Sequence, residues 1–215
     1  MAADLAQLAT DERRDLADFL AVLGADQWSA LSLCSEWNVS DVVAHIISYD
    51  ELSVTGIVGA FVQGHFKPQR INQNRLEHYR DRSPDQLLTL LSAHLEPRGF
   101  TAWFGGGIGL SDCVIHHQDI RRALNQPRQI PAERLLPVLK IAMTAPVLPA
   151  RHNAKGLRFS ATDLDWNTGT GPEVTGPAEA ILMTLAGRTD ALADLAGPGL
   201  QTLQSRLQPA STRTR

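Results

Sequence analysis

SDCVIHHQDIRRALN, residues 111–125, is the stretch that decides how this chain folds. Ser111 followed by Asp112 is a helix-start signal, and no Gly or Pro interrupts the fourteen residues that follow. At about 100° per residue, Asp112, His116 and Asp119 fall four and three positions apart and share one face. His117 points elsewhere. It lies beside Cys113 and between Leu110 and Leu124, nearer the centre of the apolar arc.

Asp and His at i and i+4 can both reach one ion, as in helical metalloprotease motifs. A carboxylate oxygen and an imidazole nitrogen suit zinc or another divalent transition metal. A third ligand has to come from another helix. SDVVAHIISYDEL, residues 40–52, offers His45 at its polar edge. Three protein ligands would leave an open position, the mark of a catalytic metal. Two other readings stand beside this one. Histidines on amphipathic helices are commonly surface or hydrogen-bonded groups. Cys113 with His117 and Cys34 is a rival donor set, on an apolar face where a buried Cys usually packs.

Outward from these two segments the first half of the chain reads as helices. Residues 3–23 carry Leu5, Leu8, Leu16, Phe19, Leu20 and Leu23 as a core-facing stripe that stops at Gly24. Ser40 reads as the cap of the second helix, with Asp41 in its first turn and an end near Gly64. Ser83, Pro84 and Gln86 make a capping box for a third helix over 83–95. Residues 99–110 read as a Gly-rich loop bordering the site, without the order of a phosphate-binding motif. A fifth helix spans 133–148, interrupted near Pro137 and Pro146.

After Pro149 the composition shifts to Gly, Thr and Asp punctuation. At least one strand is expected over 157–162, followed by a turn with a second strand left open, then helices over 176–188 and 197–207. The expected architecture is mainly α. A metal-binding helical domain covers residues 1–150, a small α+β C-terminal module 151–208, and a flexible tail 209–215.

A net charge of -3 supplies no basic footprint for nucleic acid, and no run of 18 apolar residues suggests a membrane span. Two cysteines are too few for a disulfide scaffold, and the acidic amphipathic N-terminus lacks a signal-peptide pattern, so a cytoplasmic location is expected.

CSEWNVSDVVAHI, residues 34–46, resembles a signature of the DinB-like metal-binding helical bundles, in the branch of mycothiol-dependent maleylpyruvate isomerase. That branch carries a Cys-x-x-Trp-x-x-x-Asp-x-x-x-His pattern, and Cys34, Trp37, Asp41 and His45 match it. SDCVIHHQDIRRAL is similar to its second metal segment, matching at Asp112, His116 and Asp119. Residues 162–188 resemble its C-terminal module, with Asp-x-Asp-Trp, Gly-Pro-Ala-Glu and Gly-Arg landmarks.

The resemblance implies a four-helix bundle whose metal is held by His45, Asp112 and His116. The metal is most often zinc, with nickel or iron also compatible. It implies mycothiol or another small thiol as cosubstrate, acting on a small-molecule electrophile in a thiol transfer or isomerisation. Asp41 and Asp119 are expected to orient the ligand imidazoles, and Arg188 either to meet a substrate carboxylate or to form a structural salt bridge. Asp112 stands where the isomerase pattern has Glu, one methylene longer. A metal-binding regulatory or sensor protein without turnover is the alternative. A homodimer is open to either.

Overall fold

The computed structural model describes residues 4–34, 36–50, 56, 59 and 68–208. They fall into two compact units that divide between Arg128 and Gln129. The sequence reading put this change near residue 150. The helix after Pro131 packs on the later helix Ala178–Leu185.

The first unit is built on α1 (Leu5–Leu20), the short α2 (Ala25–Ser29), α3 (Val39–Ser48), α4 (Pro68–Glu77), α5 (Pro84–Ala93) and α6 (Gly107–Ala123). Helix α6 packs on α1 and α3, and α5 packs on the same two, so the four close a ring. Leu16 and Leu20 of α1, Val42, Val43, Ile46 and Ile47 of α3, and Leu87 and Leu91 of α5 fill its centre. Each such side chain contributes about 1.5–3 kcal/mol by leaving water. Asp4 caps α1 through Gln7 N–H, and the helix ends at Leu20 rather than Leu23. The capping box at Ser83 and Gln86 forms as expected.

Two helix starts differ from expectation. Asn38, not Ser40, caps α3; its side chain accepts from Asp41 N–H while the Asp41 carboxylate accepts from Asn38 N–H. The Ser40 hydroxyl instead bonds the Trp28 carbonyl. Helix α6 begins at Gly107, four residues before Ser111, whose hydroxyl bonds back to the Gly107 carbonyl. Part of the Gly-rich stretch is therefore helix. Its glycines answer to packing. Gly106 has φ +88°, and a Cβ there would stand 2.7 Å from Ala6 Cα. Preceding it, a 3-10 turn (Gly99–Ala102) leads to Trp103 and Phe104, both exposed. The end of the second helix near Gly64 and the tail 209–215 lie outside the described residues.

The second unit holds α7 (Ala132–Ala142), α8 (Ala150–Ala154), β1 (Arg158–Ala161), β2 (Asn167–Gly169), β3 (Glu173–Gly176), α9 (Ala178–Leu185) and α10 (Leu200–Leu207). The strands order as β2-β1-β3, with β1 antiparallel to β2 and parallel to β3. Helix α9 lies against the sheet and against α7 and α8. Helix α7 continues through Pro137 and stops at Ala142, short of the expected end at 148. The landmark Asp163 caps α9, its carboxylate accepting Ala178 N–H at 2.8 Å. Among the described residues, no helix is long and apolar enough to cross a membrane.

Candidate metal centre

Helices α3 and α6 pack against each other and bring His45 to the face that carries Asp112 and His116. The His45 and His116 rings stand edge to face, with centroids 4.8 Å apart. Asp112 Oδ1 lies 3.4 Å from His45 Nε2 and 3.5 Å from His116 Nε2. Two ligands each about 2.1 Å from one tetrahedral ion stand about 3.4 Å apart, so the spacing fits a shared cation. The donor types, two imidazoles and a carboxylate, fit zinc, nickel or iron equally.

The two imidazoles are held differently. His116 Nδ1 lies 2.9 Å from Asp119 Oδ2, and Asp119 is fully buried. That bond assigns the Nδ1 proton and turns Nε2 toward Asp112 and His45. His45 Nδ1 is buried without a hydrogen-bond partner among the described residues. Packing holds this ring instead: Trp37 at 4.9 Å and Tyr49 at 5.5 Å between centroids. Trp37 also reaches His116, at 6.3 Å.

Electrostatics favour positive charge at this spot. Burial alone would lower the His116 pKa. The Asp112 carboxylate, with Asp119 and Cys34, outweighs it and raises His116 to about 10. Burial alone would raise Asp112, but the two imidazoles hold it at about 2. A cation bound by His116 Nε2 would have to displace that proton. Burial first, then the Asp112 charge, pushes the Tyr49 phenol up to about 12. Tyr49 therefore stays neutral and donates to Asn72 Oδ1 at 2.6 Å. Its ring, which stands beside His45, continues to Phe100 and thence to Trp103.

The rival donor set does not assemble. Cys113 is buried in the helical core, where burial raises its thiol pKa. His117 is buried on another side of α6, 3.0 Å from Glu12 Oε1. Cys34 belongs with His116 and Asp119, a grouping the sequence reading missed although the motif places Cys34 three residues before Trp37. Asp41 is engaged in capping α3, which replaces its expected role of orienting an imidazole. Arg188 lies in the second unit, where its guanidinium donates to the Ala186 carbonyl at 2.7 Å.

The bundle brings two histidines and an acid to one point. Residues 9–98 match the family model described as the mycothiol maleylpyruvate isomerase N-terminal domain. Two solved structures share the fold: mycothiol-dependent maleylpyruvate isomerase, at 15% identity, and a point variant of it, at 14%. Each alignment covers 90% of this chain and 91% of the other, with a TM-score of 0.55. The resemblance seen in the motifs thus extends to the fold of nearly the whole chain. No curated protein matches in sequence.

Proposed function

We propose that this protein is a metal- and thiol-dependent enzyme of the mycothiol-dependent maleylpyruvate isomerase kind, either an isomerase or a thiol transferase. The observation that supports it most is the convergence of His45 Nε2, Asp112 Oδ1 and His116 Nε2 from two helices at ligand spacing. These three residues would hold a divalent cation, zinc before nickel or iron. When bound, the cation would supply Lewis acidity that favours the thiolate form of a small thiol at neutral pH.

The chain's own residues have separate tasks in this reading. Asp119 keeps the proton on His116 Nδ1, so that Nε2 remains a donor. Trp37 and Tyr49 cover His45 and keep water from its ring. Asp112 is one methylene shorter than Glu, so it would hold a cation from closer to the α6 backbone or more weakly. In an isomerisation the thiolate adds to a conjugated double bond, the resulting single bond turns, and the same thiolate leaves. In a transfer the new carbon–sulfur bond is kept. Arg188 is carried as the group that would meet a substrate carboxylate, supported by the resemblance of its Gly-Arg landmark.

Elemental analysis of protein purified without a metal-affinity tag tests the centre, and turnover with mycothiol tests the chemistry. One divalent ion per chain, lost in His45→Ala, is the expected result. Full occupancy in His45→Ala would defeat the assignment.

A further inference from the structure

Cys34 sits on the far side of His116 from the three converging donors. Its Sγ lies 3.0 Å from Asp119 Oδ2 and 3.4 Å from His116 Nδ1. His116 Nδ1 lies 2.9 Å from the same Asp119 oxygen. One imidazole nitrogen cannot donate to Asp119 and accept from the thiol at once, so the thiol proton goes to Asp119 as well. Asp119 Oδ2 therefore receives two donors, one from the imidazole and one from the thiol. The contacts at this oxygen are hydrogen-bond lengths, shorter than the roughly 3.4 Å expected between two ligands of one ion.

The loop that carries Cys34 is itself tied down. Leu33 N–H donates to the Asp119 carbonyl at 3.1 Å. Cys34 N–H donates to Ser32 Oγ at 3.1 Å, and Trp37 N–H to the Cys34 carbonyl at 3.1 Å. Leu31 bridges to Asn38 across the turn, and Glu36 takes a left-handed φ of 69° within it. Backbone and side chain of Asp119 are thus both held by neighbouring residues of one folded loop. The same loop lays Trp37 over both imidazoles.

We infer that Cys34 is a positioning residue of this centre: its thiol fixes the Asp119 carboxylate that orients His116, and its sulfur is not a ligand. The inference rests on the metal-centre reading above and goes beyond it by giving the motif cysteine a task. A packing role makes the opposite prediction for one pair of variants. If Cys34 only fills space, Cys34→Ala is tolerated at least as well as Cys34→Ser, which buries a hydroxyl. If it positions Asp119, Cys34→Ser keeps a donor and Cys34→Ala does not.

The test measures zinc affinity, the visible and near-ultraviolet spectrum of the cobalt form, and solvent exchange of the His116 Nδ1 proton by NMR. Cys34→Ala is expected to bind zinc about tenfold more weakly, the low end for residues that orient a ligand. Its His116 Nδ1 proton should exchange faster, and Cys34→Ser should restore both. The wild-type cobalt form should lack a sulfur-to-metal charge-transfer band. Should Cys34→Ala not fold, the wild-type spectrum and Cys34→Ser still decide the matter. A charge-transfer band in the wild type, wild-type affinity in Cys34→Ala, or a Cys34→Ser no better than Cys34→Ala would each overturn the inference. If the wild type binds neither zinc nor cobalt, the metal-centre reading itself fails, and this inference with it.

Discussion

His116 and His117 are neighbours on α6 and live in opposite electrostatic worlds. His116 faces Asp112 and Asp119, and its pKa rises to about 10. His117 faces α1, where burial is the largest influence, and its pKa falls to about 4. Its hydrogen bonds agree with a neutral ring: Nδ1 bonds Glu12 Oε1, and Nε2 accepts from Arg121 Nε at 2.8 Å. Glu12 is in turn paired with Arg128, which also donates to Gln118 Oε1 at 2.9 Å. A turn of about 100° between adjacent residues separates the proposed cation site from a hydrogen-bonded network on the other side of the helix. The comparison teaches that the second histidine serves the α1–α6 interface, not the chemistry.

The largest effect that would separate the two sides comes from Glu12. Its side chain is fully buried and pairs with both Arg128 and His117. Glu12→Ala should lower stability by about 3–5 kcal/mol, because it leaves a buried charge uncompensated. Chemical denaturation measures this, and zinc affinity of the remaining folded protein should stay near the wild-type value. A loss of zinc affinity without a loss of stability would mean that the two sides are not separate.

Slightly smaller, and opposite in kind, is His116→Ala. One of three ligands carries about a third of a metal-binding energy near 10 kcal/mol, so about 3 kcal/mol is lost, more than a hundredfold in affinity. Metal titration reads this directly, while the denaturation midpoint of the metal-free protein should move far less than in Glu12→Ala.

Acid sharpens the contrast further. The folded pKa of His117, about 4, lies below its ordinary value of 6.5, so the unfolded chain binds the proton more readily. The stability this group contributes is whole above pH 6.5 and is lost as pH falls through about 4. Glu12 adds a second loss between 4.5 and about 2, where His117 and Arg128 outweigh the effect of its burial. The His117 shift corresponds to about 3 kcal/mol. His117→Gln should flatten the stability profile between pH 6.5 and 4. His116 has the reverse sign: in metal-stripped protein its contribution is whole below pH 6.5 and fades as pH rises through about 10. An unchanged acid slope in His117→Gln would show that the buried network does not hold a neutral imidazole.

What could be read from the residues follows from how far each interaction reaches along the chain. The box at Ser83 and Gln86 lies within one turn, and both the pattern and its structure agree. The shared face of Asp112, His116 and Asp119 is likewise local to α6. The meeting of His45 with Asp112 links residues 67 positions apart, and periodicity says nothing about which helices touch. The motif resemblance carried that pairing. Glu12 and Arg13 sit in a charged run that looks solvated, yet both are buried, because Arg128 and Asp50 wait for them far along the chain. The start of α6 was misread because Gly looks like a loop signal. A Cβ on Gly109 would press Pro97 and the Thr101 carbonyl at 3.2 Å, so the residue is small for the sake of contact.

The smallest predicted effect bears on Asp41, where the motif and the structure assign different work. NVSD, residues 38–41, contains three residues able to cap a helix, Asn38, Ser40 and Asp41, and sequence alone does not choose among them. The structure gives the cap to Asn38 and the reciprocal bond to Asp41, at 2.9 and 3.0 Å. With its carboxylate turned to the Asn38 N–H, Asp41 supports the helix that carries His45 rather than the imidazole itself. Asp41→Ala should therefore lower stability by about 1 kcal/mol, as loss of a cap does, and Asn38→Ala by a similar amount. Because the two bonds form one box, the double variant should lose less than the two single losses together. Zinc affinity of the folded protein should remain within about twofold of wild type, against the tenfold or greater loss typical of residues that orient a ligand. A tenfold loss of affinity in Asp41→Ala at unchanged stability would return Asp41 to the metal centre and make the cap incidental.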